Sequence, residues 1–236
     1  MHPNWLSRLW LLPPLCIVAG VAALSIDLPV TNWFHDGHCP RDLYTTIRLC
    51  EAFAEGHGVA ILLLAVWVLD TGHRWSLPRL AAAALGAGLI SNIVKLFLAR
   101  ARPGFFIEKL DGTKILDSFR WEWNGLNLGH AEWQSFPSAH AATTVGLAIA
   151  LAWRYPRGRW LFLLLGLLAC AQRVADSHHF ISDVCWGAAI GSATAWLCLR
   201  GPVVSGFFER LEGVPAEKSP EIQIVQKKIE LATAKR

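Results

Sequence analysis

The residues best suited to chemistry fall in three short stretches. The last is Arg173-Val-Ala-Asp-Ser-His178-His179-Phe-Ile-Ser-Asp183. His179 and Asp183 are four apart, so one helical turn can set the carboxylate against one imidazole nitrogen and leave the other free to attack an electrophile. The same pair suits two metal ligands or a hydrogen bond at a helix end, and by itself it does not choose among the three. The middle stretch is Phe136-Pro137-Ser138-Ala139-His140. Ser138 can cap a helix whose first N–H groups and dipole favour an anion, and His140, one turn in, is placed to give a proton. The first stretch, Lys95-Leu-Phe-Leu-Ala-Arg100-Ala-Arg102-Pro103, carries cations. Lys95 and Arg102 are seven apart, two helical turns on one face, with Pro103 expected to end or redirect the helix. A lone cation near a helix end ordinarily snorkels to lipid headgroups, but Lys95 stands inside an apolar run, where a charge is costly and marks function.

Together the stretches supply cations for oxygens, a nucleophile, an orienter and an acid, the set required for phosphoryl transfer by positioning and charge stabilisation. They must therefore be brought to one place. Six apolar segments do the positioning: 10–26, 54–69, 79–98, 138–153, 160–174 and 181–199. Several are shorter than the roughly 20 residues of a spanning helix and have to borrow flanking residues. The first segment has features of a signal peptide near Val21-Ala22-Ala23, but Pro13-Pro14 and its length favour an uncleaved anchor.

Arg8, Arg74, Arg79, Arg154, Arg157, Arg159 and Arg200 fall in alternate connections, which places those connections in the cytoplasm. Residues 27–53, the 99–137 connection and the turn at 176–180 then lie outside, so all three stretches share the extracytoplasmic face. Tryptophans follow the same division, with Trp75, Trp153 and Trp160 expected at the inner belt and Trp33, Trp121, Trp123 and Trp133 at the outer one. The outer connection also holds Phe105 and Phe106, which suit a flap over a lipid chain or an interfacial anchor. Its acidic residues Glu108, Asp111, Asp117, Glu122 and Glu132 read as mostly solvated.

Composition agrees with a membrane protein. Hydrophobic residues make up 53% of the 236 and charged residues 17%, with a mean hydropathy of +0.36. That is too apolar for an ordinary soluble domain, and a net charge of +4 dispersed among loops is no nucleic-acid footprint. The expected organisation is an all-α polytopic bundle of six transmembrane helices over residues 1–200 and a polar cytoplasmic tail over 201–236, partly helical or disordered, with one amphipathic stretch at 222–231. Four of the six cysteines lie in apolar runs, and Cys39 and Cys50 share one outer connection where a disulfide is chemically allowed. Neither a Gly-rich phosphate loop nor a Cys-x-x-Cys pair is present, and no metal or other cofactor is called for.

The three stretches resemble the signature of the type-2 phosphatidic-acid phosphatase superfamily, which includes lipid phosphate phosphatases and, more distantly, vanadium haloperoxidases. Its pattern is Lys, six residues, Arg-Pro; then Pro-Ser-Gly-His; then Ser-Arg, five residues, His, three residues, Asp. Lys95, Arg102 and Pro103 meet it, as do Pro137, Ser138 and His140, and Arg173, His179 and Asp183. Ala139 replaces the usual Gly and Gln172 the usual Ser. The resemblance implies that Lys95, Arg102, Ser138 and Arg173 hold the phosphate oxygens, that His179 attacks phosphorus, that Asp183 keeps its tautomer and that His140 serves as acid and then base. It also implies a lipid phosphate or diphosphate substrate drawn from the bilayer, such as an isoprenoid diphosphate, phosphatidylglycerol phosphate or phosphatidic acid. The expected location is the cytoplasmic membrane with the site facing outward. Transfer to a lipid acceptor and a non-catalytic scaffold are the alternatives.

Overall fold

A computed structural model describes residues 5–110, 112–120 and 130–212. A 3-10 turn, Leu6–Leu11, leads into α1 (Leu12–Ala23), with Pro13 in its first turn where a missing N–H is harmless. Two short helices follow, α2 (Asp27–His35) and α3 (Arg41–Leu49), then α4 (Gly56–Leu69) and α5 (Leu77–Lys95). The outer connection contains β1 (Ala99–Arg100), α6 (Pro103–Leu110) and β2 (Phe119–Arg120), with β1 and β2 antiparallel. The chain then forms α7 (Ala139–Arg154), α8 (Arg159–Ala175), α9 (Ile181–Arg200) and α10 (Pro202–Leu211).

Helices stand at all six apolar positions. Leu6–Ala23, Thr71–Lys95 and Pro156–Ala175 are each long and apolar enough to cross a bilayer, and Arg41–Phe53 with Gly56–Leu69, bent by 65°, forms a fourth candidate as a pair. α7 and α9 have a different character for a packing reason. α7 packs against α5, α8 and α9, while α9 also receives α1, so these two form the centre of the bundle. Buried among helices, they face little lipid and are built from Ala, Gly, Ser and Thr, which let backbones approach closely. A Cβ on Gly146 would lie 2.1 Å from the Ala83 carbonyl oxygen, and one on Gly191 2.4 Å from that of Ala142. The lipid-facing work falls to outward leucines and other apolar side chains such as Leu15, Leu69, Leu89, Trp160 and Leu167, which remain exposed.

The end of the bundle carrying Trp75 and Trp153 is tied together by Arg79. Its guanidinium meets Glu212 at 2.8 and 2.9 Å and lies over the Trp153 and Phe208 rings. Thus the start of the post-200 segment is the ordered helix α10, with Phe208 in the main core. The amphipathic stretch 222–231 lies outside the described residues, as do Asp111, Trp121, Glu122 and Trp123. Cys39 and Cys50 are free thiols. In the outer connection Phe106 and Trp133 are buried with Ala101 and Phe180 in a second small core, and Phe105 packs on it. Those three aromatic residues therefore cover the loop's own interior.

Gly191→Ala should destabilise the bundle by about 1–3 kcal/mol, the usual range for overpacking a closely fitted interior. Thermal unfolding in detergent, compared with the parent chain, measures it.

Candidate active site

The site forms where the N-termini of α7 and α9, the C-termini of α5 and α8, and the outer connection meet. The sequence-based expectation that Lys95 and Arg102 share one helical face does not hold. α5 ends at Lys95, residues 99–100 pair with β2, and Pro103 begins α6 instead of ending a helix. The two cations still converge, through chain reversal: Lys95 and Arg102 line one cavity of about 480 Å³ with His140, Gln134, Ala139 and Thr143. Arg102 is pinned by its backbone N–H, which donates to the Glu132 carbonyl at 2.8 Å, while its buried Nε has no partner among the described residues.

The turn after α8 delivers the histidines. Ser177 adopts a left-handed φ of 54°, and the N–H groups of His178 and His179 both donate to the Arg173 carbonyl, at 3.2 and 3.1 Å. This closes the helix and aims His179 inward, where it is 2% exposed. Its Nδ1 lies 2.7 Å from the Ser135 carbonyl oxygen, which can only accept. Nδ1 therefore carries the proton, and Nε2 presents a lone pair with no hydrogen-bond partner among the described residues. Burial, then the charges of Lys95 and Arg102 and the neighbouring His140, push this imidazole well below its ordinary pKa, so the ring is neutral.

Asp183 differs from the direct orienter that its spacing suggested. Its Oδ2 is 3.9 Å from His179 Nδ1, beyond a hydrogen bond, and instead accepts from Ser135 Oγ at 2.6 Å and from the Phe180 N–H at 3.0 Å. Its Oδ1 accepts from Arg100 Nη1. The carboxylate thus holds Ser135 and the turn, and the Ser135 carbonyl holds the imidazole. The Asp183 carbonyl also accepts from the Ser138 N–H at 3.1 Å, joining the starts of α7 and α9.

Ser138 is fully buried as the N-cap of α7, its Oγ accepting from the Ala141 N–H at 3.3 Å. Capping is the role its geometry displays, and the cavity wall there is Ala139 and His140. Arg173 lies beside this wall, and the charges of Arg173 and Lys95 both act on His140. Lys95, Arg102, Arg173, His140, His179 and Asp183 are thus gathered in one region.

Several contributors had no motif to announce them. Arg100 is fully buried between the Phe119 and Phe180 rings, 4.5 and 4.3 Å from their centres. It donates to Ser118 Oγ at 3.0 Å, Ser182 Oγ at 2.7 Å, Asp27 Oδ2 at 3.0 Å and Asp183. Asp27, placed at the first turn of α2, also accepts from the Ser182 N–H at 3.0 Å. An acidic residue directly after an apolar run was the only sequence signal for it. Gln172, where the family pattern has Ser, is fully buried: its oxygen accepts from Arg173 Nε, and its nitrogen donates to Asp176 at 2.7 Å, which accepts from Tyr44 at 2.7 Å. The exchange for Ser leaves Arg173 braced.

Comparison with known proteins shows the family. The chain belongs to the PAP2 superfamily, whose family model matches residues 77–205. It is 31% identical over 130 residues to the lipid A 1-phosphatase of Rhizobium etli, covering 55% of this chain and 50% of that one. It is 27% identical over 144 residues to undecaprenyl-diphosphatase BcrC of Bacillus subtilis, covering 60% and 66%. The chain spans about half the length of the lipid A phosphatases it matches. Two solved structures share the fold: Aquifex aeolicus LpxE, at TM-score 0.57 and 19% identity over 74% of this chain and 95% of that one, and a Bacillus subtilis PAP2 type phosphatidylglycerolphosphate phosphatase, at 0.55 and 16% over 87% and 96%. The protein is an all-α, multi-pass membrane protein of that superfamily.

Arg100→Ala is expected to cost about 3–5 kcal/mol, because it leaves Asp27 and Asp183 buried without their cation. Thermal unfolding in detergent measures the loss.

Proposed function

We propose that this protein is a lipid phosphatase that removes phosphate from a lipid phosphate or diphosphate through a phospho-histidine intermediate on His179. The observation that carries the reading is the neutral, buried His179 imidazole, its Nδ1 proton directed to the Ser135 carbonyl and its Nε2 unpartnered among cations. In the first step Nε2 forms a bond to phosphorus, the P–O bond to the lipid breaks, and the departing oxygen takes its electron pair and a proton from His140. Water then attacks phosphorus, His140 takes its proton, and the N–P bond breaks to release inorganic phosphate. Lys95, Arg102 and Arg173 stabilise the equatorial oxygens as charge develops. Ser138 contributes by holding the start of α7, and Asp183 by fixing Ser135.

The membrane setting and the named activities of the relatives support this substrate class. An isoprenoid diphosphate, phosphatidylglycerol phosphate, phosphatidic acid or lipid A phosphate each presents a terminal phosphate at the bilayer surface. The alternation of basic loops supports a site on the extracytoplasmic side of the cytoplasmic membrane, a chain crossing six times over residues 1–200 and a tail from 201 inside.

His179→Ala should abolish release of inorganic phosphate from labelled lipid phosphates, with chelators leaving the parent chain active; undiminished release by the variant sinks the assignment. Label moving to an added lipid alcohol instead of to inorganic phosphate would make the enzyme a transferase. Arg102→Ala and Arg173→Ala should each reduce kcat/KM by about 100-fold or more, the scale of losing one preorganised charge donor. The pH profile has a definite sign. A histidine whose pKa is lowered on folding stays neutral until the pH falls below that lowered value, so the acidic limb of kcat/KM should lie below the ordinary histidine value of about 6.5. Initial rates across pH 4–9 read it.

A further inference from the structure

Two carboxylates from outside all three motifs occupy half of the cationic site. Glu51 Oε1 accepts from Arg173 Nη2, and Glu55 Oε1 stands 4.0 Å from Nη1. Gln172 takes the remaining nitrogen, Nε, so the whole guanidinium fork is engaged by the protein itself. Glu55 Oε1 also lies 3.1 Å from His140 Nε2, and a carboxylate there accepts the Nε2 proton. The other ring nitrogen, Nδ1, is buried without a partner among the described residues, so Nε2 is the nitrogen from which a departing oxygen would be protonated. Lys95 and Arg102, in contrast, have no carboxylate within ion-pair distance among the described residues.

The glutamates are mobile side chains on a fixed backbone. Phe53 and Ala54, between them in the chain, are buried in the main core, whereas the side chains of Glu51 and Glu55 are 35% and 29% exposed. The carboxylates can therefore turn toward solvent without the bundle opening. In the empty site they have a clear use, because Arg173, with a side chain 5% exposed, would otherwise be a buried charge without a counter-ion. In the filled site they are competitors. A phosphate that reaches the Arg173 fork and the His140 proton takes the positions their oxygens hold, and a carboxylate turned aside by a few ångströms still repels it. Both effects weaken the binding of any anion in this half of the site, the inorganic phosphate left after hydrolysis included.

We propose that Glu51 and Glu55 are internal counter-anions that close the Arg173–His140 half of the empty site and, by competing for it, lower the affinity for inorganic phosphate and so favour product release. The proposal rests on the phosphate-site reading above. Three cations that stabilise a transition state also hold the product, and binding that product tightly adds nothing to the chemical step. Carboxylates that retake Arg173 and the His140 proton replace part of that binding by contacts within the protein. If the glutamates only brace Arg173, the sign is opposite, since neutralising them would loosen the fork and weaken phosphate binding.

The test is binding of inorganic phosphate to the full chain in detergent at pH 7.5, followed by ligand-induced thermal stabilisation. Glu51→Gln and Glu55→Gln should each bind phosphate about tenfold more tightly than the parent chain, as one competing charge is removed. Asp36→Asn, an exposed carboxylate of the same outer connection, should leave the affinity unchanged. Affinity unchanged or weakened in both glutamate variants, or raised equally by Asp36→Asn, overturns the proposal. Either glutamate variant decides if the other does not fold. His179-dependent release of phosphate from lipid, assayed on the same preparations, separates the two readings: such release without tightened binding refutes the counter-anions alone, and tightened binding without such release refutes the hydrolase alone.

Discussion

A single buried guanidinium fixes the architecture of the site. Arg100 has no contact with solvent, and a cation in that position is tolerable only when its neighbours replace the water it has lost. Two carboxylates, two serine hydroxyls and two aromatic faces do so, and they come from α2, the start of α9 with its cap Phe180, and the Ser118–Phe119 part of the outer connection. Every one of these elements is therefore constrained to a common point. Asp183 is held there, Ser135 is held by Asp183, and the nucleophile candidate is held by Ser135. A surface ion pair could not exert this constraint, since water would substitute for either partner at little cost.

The arrangement also explains why the imidazole is oriented by a main-chain carbonyl. A carboxylate in direct contact with His179 favours the charged ring, whereas a carbonyl fixes the same tautomer with less electrostatic pull toward protonation. Lys95, Arg102 and the low-dielectric surroundings then keep the ring neutral. Asp183 meets the ring only by way of Ser135, while its charge is matched by Arg100.

The bundle has a similar division between what is exposed and what is central. Helices facing lipid carry large apolar side chains. α7 and α9, which bear His140 and Asp183 in their first turns, are made of small residues and surrounded by protein. Close packing of their backbones, seen at Gly146 and Gly191, keeps the first turns of both helices in register with the ends of α5 and α8. The segment 41–55, in contrast, lies at the edge and bends, and it supplies the two partly exposed glutamates that meet the site.

Hydropathy and the spacing of charged residues were sufficient to put helices at the apolar runs and to mark the three stretches and most of the side chains that gather in the site, because these signals are local: an apolar run is a helix in any membrane context, and Lys95, Arg102, His140, Arg173, His179 and Asp183 carry their chemistry in their residue types. The partners of those side chains were not legible. Asp27 reaches Ser182 across 155 positions, Glu51 reaches Arg173 across 122, and the Ser135 carbonyl reaches His179 across 44, with no periodicity to connect them. The assumed helical face for Lys95 and Arg102 failed for the same reason, since α5 stops at Lys95 and residues 99–100 pair instead with β2, a partner some twenty positions away. Residue type determined which groups could act; the burial of charge, satisfied only by distant partners, determined how they are held.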